Sequence, residues 1–158
     1  MKKISPSYNF FLFRRKTAQH IKTLVVSDSF MHKAALHTHV RDVQELWVKY
    51  DAFQLIDHAA KKKFRILAIT SHDSVIFSPK LKNYAHEKNI LLIPGAELTL
   101  EGRHVLVYNL TEKERRKITT IRDLRTLSKP KHLIAAPHPF FVSPKCLGKL
   151  TEQFIDIF

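Results

Sequence analysis

At 158 residues, 44% of them hydrophobic, the chain is long enough for one domain with a buried core, which excludes disorder as its main description. Its single cysteine, Cys146, excludes an intramolecular disulfide and fits a reducing cytoplasm. The formal net charge of +13 is compatible with a nucleic acid or another phosphate-bearing partner without establishing one.

Residues 1–33 carry seven Lys or Arg against one acid, Asp28, and read as a basic N-terminal extension. The apolar run Tyr8 to Phe13 is too short to span a bilayer, so no membrane insertion is expected. From residue 34 onward, short apolar runs alternate with amphipathic ones, the pattern of βα units around a mostly parallel sheet or barrel. The first strand is expected over Ala34 to His37. Asp51 is placed to cap a helix from Ala52 to Lys63, whose inward face is Phe53, Leu55, Ile56, Ala59 and Ala60. Ile66 to Thr70 follows as a strand covered on both faces. Ser78-Pro79 opens a second helix running to Lys88. Ile90 to Ile93 is a third strand, stopped by Pro94-Gly95. His104 to Leu110 is a fourth, after a turn at Glu101-Gly102. A charged helix is expected over Glu112 to Leu127 with a break at Thr119-Thr120, then a fifth strand over Leu133 to Ala136, and Phe154 to Phe158 begins a sixth.

The polar residues that close these runs carry the chemistry. His37 and His39 are two apart, and in an extended segment such residues point the same way, so both imidazoles can reach one ion. Further potential ligands recur after later runs: His72-Asp73, Glu97, His104 and His138. In parallel α/β folds the carboxyl ends of the strands form the functional face, and His37 to His39, His72, Glu97 and His138 all fall at such ends. Imidazole with carboxylate suits Zn, Mn, Fe or Mg, and a carboxylate such as Glu97 can bridge two ions that clamp a phosphoryl group and activate water.

Other features have blander readings. His20, His32, His58, His86 and His132 lack a strand-end context and are expected at the surface or at caps. Trp47, Phe53 and the pair Phe140-Phe141 are expected to pack in the core. Arg103 is a candidate phosphate contact, although strand alternation turns it away from the His104 face. Lys61-Lys62-Lys63-Phe64-Arg65 and Arg115-Arg116-Lys117 read as solvated helix faces. Three glycines and no G-x-G-x-x-G or P-loop argue against a Gly-rich nucleotide loop.

Ala35-Leu36-His37-Thr38-His39, Leu67 to Asp73, Ile93-Pro94-Gly95-Ala96-Glu97 with His104 after it, and Ala136-Pro137-His138-Pro139 resemble, in order and spacing, the PHP family of polymerase and histidinol phosphatase domains. The likeness runs from about residue 34 to the end and is greatest to the family's small metal-dependent phosphoesterases. It implies a (β/α)7 barrel, of which five to six βα units are present, with two or three divalent ions at the strand ends. On that pattern His37 and His39 hold one ion, Glu97 bridges, His104 and His138 hold a second, and His72 serves a third. Asp73 orients ligands or assists proton transfer. Ser71 stands where the family more often has Asp. A further family ligand after the first motif is fitted best by Glu45 and next by Asp42. The family's late Asp and His ligands have no counterpart before Phe158, so an incomplete PHP domain with little activity is one expectation. The resemblance implies a phosphoesterase acting on a nucleotide, an oligonucleotide or a small phosphomonoester. The alternative is a basic nucleic-acid-binding or interaction module.

Overall fold

The structure, a computed structural model, describes residues 32–140 and 144–157. The basic extension lies almost wholly outside the described residues, as do His20 and Phe141. The chain is mixed α/β, with a five-stranded sheet in the order β1 (Lys33–Ala35), β2 (Phe64–Ile69), β3 (Leu91–Leu100), β4 (Arg103–Tyr108) and β5 (Leu133–Ala135). The first three strands run parallel, and β4 is antiparallel to both its neighbours. Among the described residues no helix is long and apolar enough to cross a membrane.

Two helices form where their caps predict. Asp51 accepts from the Gln54 N–H while the Gln54 side chain returns to the Asp51 N–H, starting α1 (Ala52–Lys61). The Ser78 hydroxyl accepts from Leu81 N–H, and Pro79 takes the first position of α2 (Pro79–Glu87). Ala52, Ile56 and Ala59 of α1 are buried with Leu67, Ile69, Leu81 and Leu92, covering the outer face of β2 and β3. Phe53 packs against this cluster and meets Tyr84 edge-on, as its core reading requires.

The sheet is not the all-βα array that the alternation suggests. The loop between β3 and β4 is only Glu101-Gly102, with φ of 50° and 75°, the positive pair of a tight hairpin turn. A two-residue connection cannot return the chain to a parallel start, so β4 reverses. Pro94-Gly95 also does not end β3. Leu91 to Pro94 pair with β2, and Gly95 to Leu100 pair with β4, so the pair marks where the strand changes partners. The missing N–H of Pro94 falls where pairing to β2 ends, and Gly95 lets β4 approach, because a Cβ there would lie 2.9 Å from the Val107 carbonyl oxygen. Glu97 is therefore inside a strand rather than beyond one.

Two further expectations are corrected. The charged segment forms only one turn, α3 (Glu112–Arg115), and a 3₁₀ segment over Ile121–Thr126, because the Asp123 carboxylate captures the backbone N–H groups of Thr119 and Thr120. Phe154 ends a short helix, α4 (Thr151–Phe154), and among the described residues the sixth strand is reduced to a parallel bridge of Ile157 with Ala135.

The sheet curls. On a flat sheet β1 and β4 would stand about 14 Å apart, three strand spacings. Yet Tyr108 Oη on β4 donates to the Leu36 carbonyl just after β1, at 3.0 Å. The small inner residues Ala68 and Ala135 pack with Leu106 and Tyr108 in the concavity. Outer residues of β3 and β4, Leu98, Leu100, Val105 and Val107, bury against Ile121, Leu124, Leu147 and Phe154.

Candidate metal centre

Strand alternation places Glu97 and His104 on the concave face, in step with Ile93 and with Leu106 and Tyr108. Because β4 runs backwards, its first residues lie at the rim where β1 and β2 end. His104 thus joins the cluster through the hairpin. The His72–Glu97 bridge carries the parallel pairing of β2 and β3 to the same rim, with Asp73 N–H donating to the Glu97 carbonyl.

His37 and His39 are held by an extension of the β1–β2 pairing. Thr70 N–H donates to the Thr38 carbonyl, and Thr38 Oγ1 donates to the Ala68 carbonyl at 2.6 Å. The fully buried Ser71 hydroxyl accepts from Val40 N–H. Its role where the resemblance expects Asp is to fasten this segment.

Glu97, only 2% exposed, is the hub. Its Oε2 lies 2.8 Å from His37 Nε2, 3.2 Å from His39 Nε2 and 3.8 Å from His72 Nε2, and its Oε1 lies 2.7 Å from His104 Nδ1. His39 Nε2 and His37 Nε2 are 3.0 Å apart. Rings then succeed one another around the rim, His37, His39, His72, His104 and His138, with centroids 5.0, 5.0, 4.8 and 5.3 Å apart. Three overlapping sets have donor atoms close enough for one ion: His37, His39 and Glu97; His39, Glu45 and His72; His72, Glu97 and His104. His138 stands beside His104 but outside these sets.

Glu45 is 1% exposed although it comes from a loop. One oxygen is 2.6 Å from His39 Nδ1 and the other accepts from His72 N–H at 3.1 Å. A carboxylate only accepts, so His39 carries a proton on Nδ1, and in neutral His39 the Nε2 lone pair faces Glu97 and His37. Such a carboxylate–imidazole pair orients a metal-binding histidine. Asp42 contributes one step further out. Its Oδ1 accepts from Gln44 and Glu45 N–H, and its Oδ2 accepts from Ser74 Oγ, shaping the turn that delivers Glu45.

Asp73 has φ of 51°, and its Oδ1 accepts from Thr99 N–H at 2.7 Å, so one oxygen is committed to the backbone of β3. Arg103 lies outside the cluster and donates to the Cys146 carbonyl. Trp47, expected in the core, is 68% exposed, and Phe140 is exposed as well. His132, expected at the surface, is buried with Nδ1 against the Ser128 carbonyl, whereas His32, His58 and His86 are exposed.

The electrostatics favour a cation. Burial works to raise the Glu97 pKa, but hydrogen bonds from His37 and His39 and the charges of His37 and His72 outweigh it and hold the carboxyl well below its usual range. The Glu97 hydrogen bond raises the His39 pKa against the opposing effect of burial, with Glu45 adding to the rise. Burial lowers that of His104, opposed by Glu97 and aided by Lys145 and His72.

The donor chemistry fits divalent metal. His104 Nδ1 has no hydrogen-bond partner despite its 2.7 Å distance from Glu97, because the contact lacks hydrogen-bond alignment. A buried nitrogen and a carboxylate oxygen so placed are joined naturally by a cation between them. Separations of 2.8 to 3.2 Å among His37, His39 and Glu97 also suit ligands of one ion, each at roughly 2.0–2.2 Å from it.

No protein-family model matches the chain, and no curated protein matches it.

Proposed function

We propose that the chain is a metal-dependent phosphoesterase of the PHP type, with a partial (β/α)7-like barrel. The observation that carries this reading is the position of Glu97, whose two oxygens face different groups of imidazoles. In this account His37, His39 and Glu97 would hold one ion, and His72, His104 and Glu97, with His138 beside them, would hold a second. His72 completes the ring between these groups. The imidazole and carboxylate donors suit zinc, manganese, iron or magnesium. Bound there, divalent ions supply Lewis acidity to a phosphoryl oxygen and ease deprotonation of water.

The chain's own groups have separable tasks. Glu45 fixes the His39 ring through Nδ1 and holds the His72 backbone, leaving imidazole faces turned to the rim. Asp73 ties the backbone of Glu97 to that of Thr99, positioning the hub rather than touching a substrate. The His72 ring, partly exposed, stands between the two groups of ligands as a further donor. Burial lowers the His104 pKa, which favours the neutral ring whose lone pair a metal would take.

The test is hydrolysis of a generic phosphodiester and of a 5′-phosphorylated oligonucleotide by the purified chain with added manganese. Turnover should vanish with chelator and in His37→Ala. Absence of both metal uptake and turnover would remove this reading and favour the binding-module alternative.

A further inference from the structure

The loop from Arg41 to Tyr50 turns two kinds of residue in opposite directions. Glu45 is buried in the metal centre, whereas Val43, Leu46 and Trp47 are 89, 73 and 68% exposed. Val48 N–H donates to the Glu45 carbonyl, so Leu46 and Trp47 are the two central residues of a turn. Turn tips usually carry Gly, Asn, Asp or Pro, and a tryptophan there leaves most of its surface in water.

The tip is also held in shape. Arg41 donates through Nε to the Val48 carbonyl at 2.9 Å and through Nη2 to the Lys49 carbonyl at 2.7 Å, and its N–H donates to the Tyr50 carbonyl. Both acids of the loop, Asp42 and Glu45, are directed inward and satisfied by hydrogen bonds. The outward side therefore presents aromatic and apolar groups with Arg41 and Lys49. Asp51, next along, is committed to the cap of α1. Beyond Trp47 the loop leads into a cavity of about 440 Å³ lined by Lys49, Tyr50, Gln54, Leu55 and His58. A stacking surface followed by a cationic, aromatic-lined hollow is the combination that binds single-stranded nucleic acid.

We propose that the Trp47 turn and the Lys49–Tyr50–His58 cavity form a subsite for single-stranded nucleic acid, with a base stacked on Trp47 and the adjoining nucleotide over the cavity. The inference rests on the phosphoesterase reading, since it supplies the strand whose phosphate occupies the metal centre. Only Leu46 stands between Trp47 and Glu45, at most about 7 Å between Cα atoms, so the face that would stack a base and the carboxylate at the rim belong to one short loop. A single-stranded polymer is favoured over a lone small phosphomonoester because the exposed apolar tip and the cavity are built from residues outside the donor cluster.

Trp47 is the only tryptophan of the chain, so its fluorescence reports this site alone. Titration with a single-stranded oligonucleotide in chelator should quench it saturably, with an apparent Kd that rises with salt. Glycerol phosphate should leave it unchanged. By anisotropy of a labelled oligonucleotide, Trp47→Ala should weaken binding about tenfold to a hundredfold, and Trp47→Phe should recover part of the loss. Unquenched fluorescence, or equal binding by Trp47→Ala, overturns the proposal. So does concentration-dependent dimerisation that Trp47→Ala abolishes, because a second copy would then be the occupant. Quenching without metal uptake or turnover would remove the phosphoesterase reading alone, and glycerol phosphate hydrolysis without quenching would remove the strand subsite alone.

Discussion

Replacing Gly95 by alanine tests the geometry that brings Glu97 to the rim. The added Cβ would lie 2.9 Å from the Val107 carbonyl oxygen and 3.3 Å from Thr70 Cγ2, one contact with backbone and one with the neighbouring strand. The backbone of Val107 belongs to the β3–β4 ladder, where Gly95 pairs with Tyr108, so relief requires the strands to part or β3 to shift. Overpacking of this kind costs about 1–3 kcal/mol. Without the clash the same substitution would stabilise by about 0.4–1 kcal/mol through the unfolded chain, so the sign of the effect discriminates. Urea denaturation followed by circular dichroism should show a midpoint lowered by roughly 1 M, the middle of the range that slopes of about 1–3 kcal/mol per M allow. Metal affinity should fall as well, since Glu97 is two residues along the displaced strand. An unchanged or raised midpoint would refute the close approach and the change of partners at Pro94-Gly95.

Three other substitutions probe separate parts of the account. Glu45→Gln should weaken divalent-metal binding about tenfold to a hundredfold with the fold retained, measured by calorimetric titration, because His39 loses its orienting carboxylate. Tyr108→Phe should lower stability by about 1 kcal/mol in urea denaturation, the worth of the bond to Leu36 that spans the curled sheet. The Glu112 pKa falls from 4.5 to about 2, chiefly because Arg115 hydrogen-bonds it, against the opposing effect of burial, with Arg116 and Val75 N–H adding to the fall. A depressed carboxyl stabilises fully above its unfolded value, and that contribution is lost as pH falls through the folded one. The stability gap between the native chain and Glu112→Gln should therefore be constant near neutrality, narrow from about pH 4.5 toward pH 2, and shrink in salt because the pair is partly exposed.

Local signals in the sequence were sufficient where one cap or one apolar stripe decides the outcome. Asp51 and Ser78-Pro79 start α1 and α2, and Ile56 and Ala59 face inward as their spacing requires. The break at Thr119-Thr120 forms where expected, but the segments beside it are one helical turn and a 3₁₀ stretch, because Asp123 takes the Thr119 and Thr120 N–H groups. The reversal at β4 was legible in principle: a turn as short as Glu101-Gly102 admits only a hairpin, although the βα rhythm elsewhere points to a mostly parallel sheet. Pro94-Gly95 looked like a stop because a proline usually leaves a ladder, and only the change of pairing partner at that point shows why it stays.

The cluster itself was more legible than the route by which it assembles. His37, His39, His72, Glu97 and His104 meet as their repeated placement after apolar runs suggests, but His104 arrives from the start of a reversed strand. Glu45 had no intrinsic sequence signal, because its burial depends on a turn shaped by Asp42 and on two partners distant in the chain, His39 and His72. Trp47 was read as core since bulky aromatics usually are, and its exposure is a property of the turn that buries Glu45 instead.

Equilibrium titration of the metal-stripped chain with zinc or manganese, read by calorimetry and elemental analysis beside Glu97→Gln, addresses the shared centre most directly. Uptake should be saturable at more than one ion per chain, and lost or reduced to weak single-ion binding in Glu97→Gln while circular dichroism stays native. No saturable uptake, or equal uptake by the folded variant, would contradict a shared centre.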